Sequence, residues 1–260
     1  MRDLVRHIDQ LLRGHFTRRD DLLAGRIAVP SKTLTIAGVL LGCAYGLFMG
    51  LYAVLRSENP SSEQLLATVA KVPLLFLATL VVTFPSLYVF SALANSRLQG
   101  GDTLRLLVAA ITVNLALLAS LGPVTGFFTL STSSYPFLVV LNVIFFALAG
   151  FTGLAFLRKA LGSVFMPEPG REAPAPPRDA TSDDAPLSTA AAQRLRAAAG
   201  PGPGRRVFTI WTLTYALVGA QMGWILRPFI GTPTQEFTFF RPRDANFFEG
   251  VWQALRALFS

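Results

Sequence analysis

The chain has 260 residues, of which 52% are hydrophobic and only 15% are charged. Soluble domains average about 25% charged residues, so this composition excludes an ordinary soluble globular domain and indicates that most of the chain lies in lipid. The net charge of +8 comes mainly from loops beside apolar segments, which favours contact with anionic lipid over nucleic-acid binding.

Residues 1–30 are predicted to form a cytoplasmic amphipathic segment. Apolar residues recur there at helical spacing, and the charged residues fall on the opposite side. Such a helix lies among lipid headgroups or packs on a partner, and the sequence leaves both interpretations open. The apolar positions are Leu4, Ile8, Leu11, Leu12 and Phe16, and the charged ones are Arg2, Arg6, Asp9 and Arg13.

Five apolar segments follow, each of about the 20 residues that a helix needs to cross a bilayer. They are residues 33–55, 72–94, 106–127, 136–157 and 207–226, and none contains Asp, Glu, Lys or Arg. A charge at the centre of an inserted helix costs about 2.5–3.5 kcal/mol, so this absence suits lipid. The predicted fold class is an all-α membrane protein, a bundle of five transmembrane helices with amphipathic N- and C-terminal helices. Residues 31–160 would form a four-helix region and residues 207–228 the fifth helix.

The first apolar segment carries a glycine at every fourth position over four consecutive repeats. This spacing places the glycines on one stripe of a helix, where another backbone can approach closely. The stripe predicts a helix-packing face, and it leaves open whether the partner helix belongs to the same chain or to another subunit. Its members are Gly38, Gly42, Gly46 and Gly50.

Three amide side chains lie inside the apolar segments: Asn114, Asn142 and Gln221. An amide needs a hydrogen-bond partner in lipid, so these residues are expected to face the bundle. They would either join helices to one another or form a polar pocket. Pro85 is predicted to kink the second helix, and Pro123 to kink or end the third.

Residues 161–206 are rich in Pro, Ala, Gly and Asp and have few bulky apolar side chains. Such a segment does not bury enough surface to offset its ordering entropy. It is predicted to be a disordered cytoplasmic linker, acting as a tether or as a plain connector, with a short helix within residues 187–198.

Residues 229–260 are predicted to form an outer-face aromatic tail that ends in an amphipathic helix. Aromatic side chains and arginine are enriched at protein interfaces, so the tail is either a partner-binding surface or a cap over its own bundle. Within the helix, one face would carry Phe248, Trp252, Leu255 and Phe259. The candidate partner-binding residues are Trp224, Arg227, Phe237, Phe239, Phe240, Arg241, Phe248 and Trp252.

The last apolar segment closes with a Gln-x-x-Trp-x-Leu-Arg-Pro-Phe pattern that begins at Gln221. This pattern resembles the end of a group of bacterial multi-span membrane proteins with no assigned activity. The five-span arrangement is also similar to that of Yip1-type membrane trafficking proteins, in topology alone. The resemblance implies a bacterial inner membrane protein.

The basic residues predict the orientation. With a cytoplasmic N-terminus, 17 of the 23 Lys and Arg residues lie on the inner side and six on the outer side. Cytoplasmic loops carry the excess of basic residues, so the N-terminus is predicted to be cytoplasmic and the C-terminus periplasmic or extracellular.

The predicted function is a non-catalytic membrane scaffold, anchor or accessory subunit. Its partners would be membrane lipid and a protein partner or a second copy, with no nucleic acid, cofactor or metal. The alternative is a transporter or channel for a neutral or lipidic solute, lined by the three amides. A lipid-modifying enzyme using Arg227, Asp244 and Glu249 is a third hypothesis. The segments lack the intramembrane carboxylates and histidines that coupled transporters and intramembrane proteases use.

Overall fold

The computed structural model describes residues 2–15, 30–55, 60–93, 100–165, 203–226 and 246–259. These residues form seven α-helices and no strand. Four helices, α2 to α5, are long and apolar enough to cross a membrane, which makes this an all-helical protein of the membrane type. The seven are α1 (Arg2–Leu12), α2 (Ser31–Leu55), α3 (Ser62–Leu93), α4 (Gly100–Ser131), α5 (Tyr135–Phe165), α6 (Pro203–Leu226) and α7 (Phe247–Phe259).

The helices extend beyond the apolar segments that predicted them. The helix α3 begins at Ser62, ten residues before the predicted segment starts at residue 72. The Ser61 hydroxyl accepts a hydrogen bond of 3.2 Å from the backbone N–H of Gln64 and so caps the first turn. The helix α4 continues past Pro123 to Ser131, because neighbouring helices accommodate a proline in a membrane bundle. The predicted linker loses residues 161–165 to α5 and 203–206 to α6, and its remainder lies outside the described residues.

The glycine stripe of α2 packs within the chain. Gly46 faces the backbone of α3, where an added Cβ would lie 2.8 Å from both the carbonyl oxygen of Thr68 and the Cα of Val69. Gly42 faces Pro73 and Gly50 faces Leu65 on the same helix. Since residue numbers rise on α2 as they fall on α3, the two helices are antiparallel.

The other side of α2 packs on α4, which runs parallel to it. Gly38 faces Thr112 and Leu115, and the Phe48 ring fits against Gly122 and Gly126 of α4. These α4 glycines provide the hollow that a bulky α2 side chain fills, so close packing involves small residues on both helices.

The N-terminal helix α1 packs on α2 and α4. Its Leu11 is 1% exposed and belongs to the core, whereas Leu12 is exposed. Gly14 ends this helix with a φ of 75°, and its N–H donates to the carbonyl of Leu11. The inner side of this amphipathic helix therefore covers its own bundle, and Phe16 lies outside the described residues.

The lysine that precedes the second predicted segment lies inside the bundle. Lys71 belongs to α3, is 3% exposed, and falls between Pro73, which faces Gly42, and Val69, which faces Gly46. These glycines flank the middle of the 25-residue α2. Lys71 is one of the six basic residues predicted for the outer side, and this placement is wrong because α3 begins at Ser62, about three turns before its uncharged segment.

The helix α6 runs antiparallel to α3 and covers only part of it. Trp211 donates to the Ser86 hydroxyl at 3.1 Å, and Gly219 and Gly223 lie against Thr79 and Leu75. This register places the end of α6 beside residue 72, ten residues short of the N-terminal end of α3, or about 15 Å at 1.5 Å per residue. The α6 helix does not meet the length and hydropathy criteria of a span in its described residues, so the fifth transmembrane helix is not confirmed.

Candidate functional site

A cavity of about 330 Å³ lies among α3, α4, α5 and α6 and is bounded at one side by α7. Its volume falls within the roughly 300–1,000 Å³ that small-molecule pockets occupy. Most of its lining is apolar. The lining residues are Leu75, Phe76, Thr79, Asn114, Val143, Phe146, Ala147, Gly150, Phe151, Leu154, Tyr215, Ala216, Gly219, Ala220, Gly223 and Phe247.

The cavity exists because small residues of α5 and α6 leave space open beside them. A Cβ added at Gly150 would meet no described atom within 4 Å, and those added at Gly219 and Gly223 would come no closer than 3.9 and 3.7 Å to their neighbours. Packing of α6 on α3 and of α5 on α4 therefore leaves a gap between α5 and α6.

The gap opens towards the surface that lipid surrounds. Ala147 and Phe151 of α5 and Ala216 of α6 line the cavity, and all three are exposed. On the same flank, Leu148 and Leu217 are also exposed. Exposed apolar residues on a membrane-spanning bundle would face acyl chains, so this side of the cavity borders a surface suited to lipid.

The C-terminal helix α7 packs against this flank. Asn246 caps it by accepting a 3.0 Å hydrogen bond from the Glu249 N–H, and Phe247 lines the cavity. Gly250 lies so close to the Trp224 indole that any side chain there would collide with the ring. The α7 helix therefore packs on its own bundle through the side of Phe247 and Gly250.

The polar side chains of the lining are Thr79, Asn114 and Tyr215, and none of its described residues is charged. Thr79 donates its hydroxyl proton to the carbonyl of Leu75 at 2.8 Å, within its own helix. Asn114 is 3% exposed, and its Oδ1 accepts no hydrogen bond from the described residues. Asn114 is thus a polar residue of the lining whose buried acceptor has no partner among the described residues.

The structure does not bring the three predicted amides together. Asn142 lies away from the cavity, where it accepts a 2.7 Å hydrogen bond from the Tyr45 hydroxyl and donates one of 2.7 Å to the Leu138 carbonyl. Gln221 is partly exposed on α6 and is not among the cavity lining. Asn142 joins two helices, and only Asn114 reaches the cavity.

The predicted partner-binding residues divide into three groups. Trp224 packs against Gly250 of α7. Phe248 and Trp252 are exposed on the side of α7 that faces away from the bundle, where the Arg256 guanidinium lies 5.1 Å from the Trp252 ring centroid. The remaining candidates lie outside the described residues, and they are Arg227, Phe237, Phe239, Phe240 and Arg241.

Sequence reasoning missed most of the cavity. The signal was present in α6, where Ala216, Gly219, Ala220 and Gly223 repeat at spacings of three and four residues, as the glycines of α2 do. In α2 small residues allow close packing, whereas Gly219 and Gly223 of α6 come no closer than ordinary contact distance to α3 and line open space. Only the placement of α5 distinguishes the two outcomes.

Comparison with known proteins gives no relative, since no family model, curated protein or solved structure matches the chain. The fold and site therefore define the class by themselves: an all-helical protein of the membrane type with a lateral apolar cavity. The resemblance of its closing motif to bacterial multi-span proteins stays a prediction.

Proposed function

We propose that the protein binds a neutral lipidic solute within the bilayer and acts as its carrier or channel. The observation that supports this function best is the cavity of about 330 Å³ that opens between α5 and α6. Scaffolding through the α2 glycines is less favoured, because those glycines already pack on α3 and α4 of the same chain.

The chemistry of the lining supports a neutral solute. Its described residues carry no charge, and an ionised group transferred to an apolar site without a counter-charge pays a large desolvation cost. Aromatic and aliphatic side chains, among them Phe76, Phe146 and Leu154, offer contacts to an acyl or isoprenoid chain. The proposed step is binding and movement, with no bond made or broken.

The finer topology is part of the same proposal. We place the protein in a bacterial inner membrane with a cytoplasmic N-terminus, as the distribution of 17 basic residues on one side and five on the other favours once the buried Lys71 is set aside. Residues 207–228 remain the proposed fifth crossing, with the C-terminus outside. Reporter tags at the two ends test this, and labelling of both tags from the same side would reject it.

Photolabelling tests the binding function. The purified chain, reconstituted in lipid nanodiscs, is incubated with a neutral alkyl probe that carries a diazirine, and labelled peptides are mapped. Labelling is expected on the cavity side of α5 and α6. Gly150→Phe and Ala216→Phe fill the cavity and should abolish this labelling, whereas Ala44→Phe, on the exposed side of α2, should not. Equal labelling in all four proteins would reject the proposal.

A second candidate function is the scaffold or accessory subunit. The observation that favours it is the exposure of aromatic side chains on the side of α7 that faces away from the bundle, where Phe248, Trp252 and Phe259 are 57%, 56% and 86% exposed. Aromatic anchors of this kind occupy the centres of protein interfaces. Phe248→Ser with Trp252→Ser should reduce the size of the native assembly in mild detergent, and an unchanged size would count against this function.

A further inference from the structure

The carboxamide of Asn114 is a polar group built into an apolar cavity. It is 3% exposed, and its Oδ1 accepts no hydrogen bond from the described residues. This oxygen lies against Gly153 of α5, so closely that a Cβ at that position would overlap it. The absence of a side chain at Gly153 leaves room for the amide.

The other buried asparagine shows what a purely structural amide does in this bundle. Asn142 uses its oxygen to accept from Tyr45 and its nitrogen to donate to Leu138. Leaving a buried polar atom without a partner is costly, and native proteins satisfy the great majority of such atoms. Asn114 therefore has an unused hydrogen-bond acceptor on a side chain that also lines the cavity.

A hydroxyl fits this carboxamide better than other neutral groups. A carboxamide has an acceptor oxygen and a donor nitrogen, and its two orientations differ only by a flip of the terminal group. A hydroxyl donates to the oxygen and also accepts from the nitrogen, so it satisfies either orientation. A ketone or ester only accepts, and an alkane does neither.

Resting on the function proposed above, we infer that the solute is a neutral amphiphile, an apolar chain that carries a hydroxyl group. The hydroxyl forms a hydrogen bond with the carboxamide of Asn114, in whichever of its two orientations that group presents to the cavity, and the chain occupies the space between α5 and α6. The exposed lining residues Ala147, Phe151 and Ala216 mark the side on which a longer chain extends into the bilayer.

Bound water is the competing explanation for the unused acceptor. A buried water molecule typically makes about three hydrogen bonds. The other polar residues of the lining are Thr79, whose proton is already used, and Tyr215. An apolar chain fills this space without needing further polar partners, so a hydroxyl on such a chain suits the site.

Competition against the neutral diazirine probe tests the inference in nanodiscs. The competitors are 1-dodecanol, dodecane and dodecanoate, which share a chain length and differ in the end group. For the unaltered protein, 1-dodecanol should compete about tenfold more strongly than dodecane, the ratio expected for one good hydrogen bond. Dodecanoate should be the weakest because its charge has no partner in the lining.

Asn114→Leu should bring the alcohol and the alkane to within about twofold of each other, while the probe still labels the cavity. Asn114→Ala removes the same group without adding volume and serves if the leucine variant does not fold. Thr79→Val is the matched control, since its hydroxyl is occupied within α3, and it should keep the tenfold preference.

The outcomes separate the two proposals. Equal competition by alcohol and alkane in the unaltered protein, or a preference that survives the loss of Asn114, overturns the inference and indicates an amide that is only hydrated. Binding of the apolar probe would still stand in that case. Absence of cavity labelling by the probe would overturn the proposed function itself.

Discussion

Replacing Gly46 by alanine tests the contact that brings α2 closest to α3. The added Cβ would lie 2.8 Å from the Thr68 carbonyl oxygen and 2.8 Å from the Val69 Cα. Both atoms belong to the backbone, so no change of side-chain rotamer relieves the overlap. The two helices have to move apart, and the contacts on either side of Gly46 are weakened with them.

Gly38→Ala is the matched control on the same helix. Its Cβ would lie 3.4 Å from the Leu115 Cδ1 and 3.5 Å from the Thr112 Oγ1, which are ordinary contacts. Both substitutions gain about 1 kcal/mol of helix propensity, so this term cancels between the two variants. The difference that remains is the overpacking at Gly46, about 1–3 kcal/mol.

Reversible unfolding of the purified chain in mixed micelles measures this difference. Gly46→Ala should be less stable than Gly38→Ala by that amount, and the oligomeric state of the two variants should be the same. Equal stabilities would refute the close backbone packing. A change of oligomeric state in Gly46→Ala alone would show that the stripe packs between subunits.

Two further predictions concern the buried amides. Tyr45→Phe removes the hydroxyl that donates to Asn142 at 2.7 Å. This substitution should lower the free energy of unfolding by about 1–3 kcal/mol, because a buried acceptor loses its partner. A change within experimental error would show that this hydrogen bond contributes nothing to stability. Gly153→Ala should destabilise the bundle, because the new Cβ would overlap the Oδ1 of Asn114. Gly150→Ala, one turn earlier on α5 and with open space around its Cβ, should not; equal thermal stabilities would refute the close approach.

The sequence by itself determined the class of protein. Long uncharged segments predict lipid-embedded helices because the backbone has to satisfy its own hydrogen bonds in the bilayer, and four of the five predicted segments correspond to helices that meet the criteria of a span. The glycine spacing predicted a packing face because a period of four residues places side chains on one stripe of a helix. Both inferences depend only on residues that are near one another along the chain.

The tertiary structure decided what each packing face meets. Both Asn114 and Asn142 lie in apolar segments. Asn142 accepts a hydrogen bond from Tyr45, whereas Asn114 lines a cavity. Lys71 lies inside the bundle because α3 begins at Ser62 and packs along α2. The cavity itself depends on how α5 and α6 are placed around the small residues that line it. Contacts between helices are set by their mutual register, and the composition of a single segment does not contain that information.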